Sequence, residues 1–163
     1  MIEMNQPTAT EIAAADLSYI ERLILYALRQ WVADEERWPD VVLEFNRSCG
    51  PRAATRICEA LQSTFRTLGL HARRQIRLHP LICCRVSPDE LCLLNILAAH
   101  QSQSAFHGQA MINWLVSRNA AGALRSDIDL VARGLFEAGY MLDVRRAPEI
   151  HTPRLEQTTS SVH

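Results

Sequence analysis

Apolar residues in this chain recur at three- and four-residue steps over most of its length, a period that only helices satisfy. Ile20, Leu23, Ile24, Ala27, Leu28 and Trp31 make one wide stripe on a helix expected near 16–33. Trp38, Val41, Val42, Phe45 and Cys49 repeat the spacing on a shorter helix, with Pro39 in its first turn and Gly50 just after it. Pro51 opens a third helix, striped by Ala54, Ile57, Cys58, Leu61, Phe65 and Leu68, which Gly69 is expected to end as a left-handed cap. Ser87-Pro88-Asp89-Glu90 is a complete helix start, with Ser87 as N-cap, Pro88 at the first position and Glu90 closing a capping box. That fourth helix runs to about Gln101 and is apolar on most sides, which places it centrally. A fifth is expected over 105–118 with Ala110, Met111, Trp114 and Leu115 inward. A sixth is expected over 121–138 with Leu124, Ile128, Val131 and Leu135 inward, and Gly139 stops it.

The expected fold class is therefore all-α, a six-helix bundle in one domain over 16–146. A shift of 70 residues lays the second three helices on the first without a gap, pairing Ile24 with Leu94, Leu61 with Val131 and Gly69 with Gly139. Two pseudo-repeated three-helix units, 16–79 and 87–146, account for this register. Short alternating segments after each glycine, Gln75–Leu78 and Tyr140–Val144, read as a minor two-stranded element. Residues 1–15 are expected to be flexible. Pro148, Pro153 and the run Thr158–Ser161 mark 147–163 as a disordered tail.

Composition bounds the function. No apolar run approaches the ~20 residues that cross a bilayer, and the first residues lack a basic stretch followed by an apolar one. A cytoplasmic protein without a membrane partner is expected, its five cysteines reduced. All 17 basic side chains apart from histidine are arginine. They are unevenly placed: nine acids face three arginines before residue 46, whereas 52–85 holds seven arginines and one acid, Glu59. A formal total of −1 argues against a protein that coats nucleic acid.

The connector Arg73–Ser87 concentrates the chemistry. Arg73, Arg74, Arg77 and Arg85 are the candidate partner- or anion-binding residues, because guanidinium groups hold carboxylates and phosphates in two-point contacts. His79, Cys83, Cys84 and Cys92 are the candidate metal ligands, for zinc, although adjacent cysteines on extended backbone point apart and no C-x-x-C hook exists. Arg85, His79 and the helix start beyond would also lower a thiol pKa at Cys83 or Cys84, the basis of a thiol sensor. No catalytic motif with an ordered base and oxyanion hole occurs, so no enzyme is expected.

The second half also resembles a winged-helix domain. Residues 88–146 read as helix, helix and a third helix ending Leu135-Phe136-Glu137-Ala138-Gly139-Tyr140 before an extended segment. The resemblance implies a DNA-binding regulator. The pattern departs from it in leaving only Arg125 and Arg133 to face DNA, in the acids Asp127 and Asp129, and in Pro148 where a second wing strand would begin. The leading expectation is a small regulatory or adaptor protein that binds a macromolecule, a protein before DNA, through a basic connector face. A homodimer is compatible with it.

Overall fold

The protein is described by a computed structural model that covers residues 2–4, 11–102 and 105–146. The six expected helices are present: α1 (Tyr19–Ala33), α2 (Trp38–Cys49), α3 (Pro51–His71), α4 (Pro88–Gln101), α5 (Ala105–Leu115) and α6 (Arg118–Glu137). Four short strands accompany them: β1 (Ile2–Met4), β2 (Ile12–Ala13), β3 (Ile76–Leu78) and β4 (Arg85–Val86). Helices α1, α2 and α3 hold 15, 12 and 21 residues, and α4, α5 and α6 hold 14, 11 and 20. Order and length thus correspond across the 70-residue register.

One core joins all six helices. The longest packing interface lies between α3 and α6. They run antiparallel, since Arg56 meets Glu137 while Ser63 meets Asp127. Gly134 permits the close approach, because a Cβ there would stand 2.7 Å from Cγ1 of Ile57. As its apolar character requires, α4 is buried around most of its circumference, through Leu91, Leu93, Leu94, Ile96, Leu97, Ala98 and Ala99.

Four local expectations are corrected. Gly69 does not end α3, which continues to His71. Gly139, by contrast, caps α6 at φ +88°, with the Tyr140 N–H on the Leu135 carbonyl and the Gly139 N–H on Phe136. Residues 140–144 form no strand. Their backbone is satisfied by side chains of α4: Gln101 accepts from the Leu142 N–H, and Asn95 makes a two-point contact with the Arg145 backbone. β3 pairs instead with β1, in parallel, and β2 pairs with β4 in antiparallel fashion. The described parts of 1–15, expected to be flexible, therefore supply two strands. Finally, Ala110 and Trp114 face outward on α5, where Ile112 and Leu115 take the buried side. The tail expected over 147–163 lies outside the described residues.

Two capping boxes start α1 and α4, Ser18 with Glu21 and Ser87 with Glu90. Both glutamates are buried, and both carry an arginine in a two-point ion pair: Glu21 holds Arg145 at 3.0 and 2.8 Å, and Glu90 holds Arg29. Burial alone would raise the Glu21 pKa, but the hydrogen bonds from Arg145 and Ser18 outweigh it and hold the carboxyl below the usual glutamate range. A depressed pKa contributes stability that is complete above the unfolded-state value and is lost as pH falls through the folded-state value. Glu21→Gln is therefore expected to cost about 1–3 kcal/mol at neutral pH. The gap between the wild-type and variant stability curves should close below about pH 4, as the wild-type carboxyl protonates. Urea denaturation across that range measures both, and a gap that stayed constant with pH would show that the charge of Glu21 is not what stabilises.

Candidate functional site

The connector between α3 and α4 is organised by a residue from outside it. Arg29, on the stripe side of α1, is 3% exposed and reaches Glu90, which is fully buried. Its Nε donates to Glu90 Oε1 at 2.8 Å and its Nη2 to Oε2 at 2.9 Å. The same guanidinium donates to the carbonyl of Cys83 at 2.7 Å and to that of Arg85 at 2.5 Å. Glu90 in turn accepts the backbone N–H groups of His79 (3.0 Å) and Ser87 (2.8 Å). Each Glu90 oxygen thus accepts twice and the guanidinium donates four hydrogen bonds, the kind of satisfaction under which a buried ion pair is tolerated. Neither residue was singled out from the sequence as a site residue. Glu90 was legible only as a cap, and the signal at Arg29 was a charged residue inside the span of an apolar stripe.

The candidate metal ligands are not brought together. His79 is fully buried and its Nε2 meets Glu11 Oε2 at 2.7 Å. Cys84 is exposed, and Cys83 accepts the Arg85 N–H on its sulfur at 3.4 Å. Cys92 is half-buried on α4, and burial pushes its thiol up to about 11. Among the described residues no three of histidine, cysteine, aspartate and glutamate gather around a point that would hold an ion. The zinc expectation is thus corrected: the imidazole turns into the core toward Glu11 while a neighbouring thiol turns out to solvent. Away from the connector, burial also raises the thiols of Cys49 and Cys58, the latter to about 12, which leaves them as packing groups.

The four candidate arginines divide into two places. Arg85 donates to the Glu11 carbonyl at 2.9 Å and so ties the connector to β2. Arg73 and Arg74 lie instead against α5. The Arg73 N–H bonds the Leu115 carbonyl and its Nε the Val116 carbonyl, each at 2.8 Å. The Arg74 guanidinium stacks on the indole of Trp114, 4.1 Å from the ring centroid. Asp89 fixes it there through contacts of 3.0 and 2.5 Å, and these hydrogen bonds raise the Arg74 pKa. The Arg77 N–H donates to the same carboxylate at 2.7 Å, while its side chain stays exposed.

What emerges is a surface not foreseen as a unit. Trp114 is 56% exposed although Arg74 stacks on its ring, and Leu70, near the end of α3, is 79% exposed. Phe106, two turns earlier on the outer side of α5, is 84% exposed, about 12 Å along the helix axis from Trp114. Trp114 was read as an inward residue because it stands at helical spacing with Ala110, Met111 and Leu115, whereas the buried side of α5 is that of Gly108, Ile112 and Leu115.

A second polar cluster lies between α4, α5 and α6. The His100 imidazole is fully buried, with Nδ1 on Asp129 Oδ1 at 2.5 Å, beside an open cleft of about 210 Å³ that Arg133 and Phe136 also line. Its Nε2 has no hydrogen-bond partner and is enclosed against Gly108, where a Cβ would stand 2.7 Å away. An imidazole oriented by a carboxylate resembles half of a catalytic triad, but this nitrogen is sealed by α5 from anything in the cleft.

The chain matches no protein-family model, no curated protein and no solved structure.

Replacing Arg29 by Met is expected to cost about 3–5 kcal/mol, because it leaves the Glu90 charge buried without its partner. The double variant Arg29→Met/Glu90→Met removes that charge, yet it also strands the N–H groups of His79 and Ser87 and the carbonyls of Cys83 and Arg85. It should recover only part of the loss. Full recovery in chemical denaturation would mean that the pair does not organise the connector backbone.

Proposed function

We propose that the chain is a small cytosolic adaptor or regulatory domain that binds a protein partner through the face formed by Leu70, Arg73, Arg74, Trp114 and Phe106. The observation that carries this reading is Trp114, more than half exposed and yet covered on its ring by the Arg74 guanidinium, which Asp89 anchors. Tryptophan and arginine are the residue types that dominate binding energy at interfaces. A side chain already immobile before binding loses little entropy in the complex.

Other features agree with an interaction role. All five cysteines are free, in keeping with a reducing compartment. Among the described residues no helix is long and apolar enough to cross a membrane. The DNA-binding alternative finds less support, since residues 140–146 lie along α4 and no wing strand follows α6 among the described residues.

Trp114→Ala should leave helicity and melting temperature close to wild type, because more than half of the side chain is exposed. It should also release the partner that co-purifies with the affinity-isolated wild-type chain. Quantitative mass spectrometry of matched isolations reads this directly, and an unchanged partner set would overturn the assignment of this face.

A further inference from the structure

We infer that residues 141–146 are a releasable strap, the internal occupant of a peptide groove on α1 and α4. Its release opens the groove to an extended partner segment that carries a large aliphatic side chain and, three residues later, an arginine. Neither Trp114 nor the connector arginines take part in it.

The strap is held as a bound peptide is held. Gln101 donates to the Tyr140 carbonyl at 3.1 Å and accepts the Leu142 N–H at 2.8 Å. Asn95 accepts the Arg145 N–H at 2.8 Å and donates to the Arg145 carbonyl at 2.7 Å. A carboxamide carries both donor and acceptor, so it satisfies an extended backbone whatever side chains that backbone bears. The spacing fits. Asn95 and Gln101 stand roughly 9 Å apart along the axis of α4, and the step from Leu142 to Arg145 spans roughly 10 Å when extended. Specificity falls to two side chains. Leu142 is buried in the core, and the Arg145 guanidinium grips Glu21 on α1 at 3.0 and 2.8 Å. Met141, Asp143, Val144 and Arg146 are exposed.

The receiving side is set up without the strap. Glu21 is oriented by its capping box, accepting the Ser18 N–H at 2.7 Å, and Gln101 also donates to the Ala132 carbonyl on α6 at 3.1 Å. Withdrawing the strap therefore leaves an apolar position for one leucine, a carboxylate for the arginine three residues on, and two amides that fit an extended backbone. The strap itself is lightly tied. Among the described residues 141–146 make no backbone-to-backbone hydrogen bond, and one leucine, one ion pair and the two amides hold it. Segments with so few buried apolar contacts open locally, well before the whole protein unfolds. The fixed end is equally defined: Gly139 turns the chain at φ +88°, and the Tyr140 hydroxyl donates to the Ser48 carbonyl at 3.1 Å.

The experiment titrates a fluorescein-labelled synthetic peptide of the sequence 140–146 into the whole chain and into its Leu142→Ala/Arg145→Gln variant. The variant weakens its own strap and leaves the groove residues unchanged. A closed strap lowers the apparent affinity by the fraction of molecules in which the groove is open, so the variant should bind the peptide about tenfold or more tighter than wild type. Adding Glu21→Gln to the variant, or placing the same two changes in the peptide, should remove the gain, whereas Trp114→Ala should leave it intact. In native-state hydrogen exchange of the wild-type chain, the Leu142 and Arg145 amides should exchange about a hundredfold or more faster than those of Leu94 and Leu97. Equal affinity for wild type and variant, no binding by the variant, or a gain that survives Glu21→Gln overturns the inference. A gain that depends on Trp114 places the peptide on the other face and overturns it too. So does exchange of Leu142 and Arg145 in step with α4, or loss of helicity in the variant, since either makes the strap part of the core.

Discussion

Most of what is irregular in this protein is held by the ion pair of Arg29 and Glu90. Taking both charges out of water costs several kcal/mol per ion, and their mutual attraction offsets this only when the remaining hydrogen-bonding capacity is also used. It is used here on the connector backbone: two carbonyls on the arginine and two N–H groups on the glutamate. A segment without a helix or a wide sheet of its own therefore has its buried polar groups satisfied from one point. The N-terminal region depends on the same point at one remove. β1 can pair only with a β3 already in place, and Glu11 meets His79 and Arg85, whose N–H and carbonyl the ion pair holds.

The exclusive use of arginine acquires a structural meaning from this arrangement. Arg29, Arg74 and Arg145 each grip a carboxylate at two points, and Arg29 and Arg74 also reach backbone carbonyls. A lysine ammonium is a point charge and could not reproduce the planar fork that serves several acceptors at once. Much of the basic excess seen in 52–85 is thus turned inward or spent locally. The rest stays on the surface, with Arg52 at the start of α3, Arg66 over the Trp31 ring and Arg73 at the junction with α5. The face that results is smaller than the sequence charge distribution implied, and more apolar.

The helices were legible from their period, and four of the six also from punctuation: Pro39, Pro51 and Pro88 in first turns, a capping box at Ser87, and glycine after α2 and α6. Legibility failed where two local signals were equal in sequence but not in environment. Gly69 and Gly139 stand at matching positions, yet only Gly139 adopts the left-handed conformation, since α3 has room to run two residues further. Tyr140–Val144 alternates like a strand, but α4 offers its backbone the amides of Asn95 and Gln101 in place of a neighbouring strand. The arginines of the candidate site were visible as charge. Their partition was not, because it is decided by Arg29, 61 residues from its carboxylate in the chain, and by the packing of α5 against the near end of the connector.

The exposed tryptophan and the buried ion pair are two ends of one device, the first turn of α4. Asp89 and Glu90 are successive residues there, and the helix N-terminus favours negative charge on both. Successive positions on a helix point about 100° apart. Glu90 therefore enters the core to hold Arg29 and the far limb of the connector, while Asp89 faces the near limb and holds Arg74 and the Arg77 N–H. Arg74 then sets the position of its guanidinium on Trp114. Because the connector is fastened at both limbs to a single helical turn, it cannot shift as a body without breaking contacts at one carboxylate or the other. The position of a surface side chain on α5 is thus tied to the core, by way of two neighbouring acids that face opposite limbs of the connector.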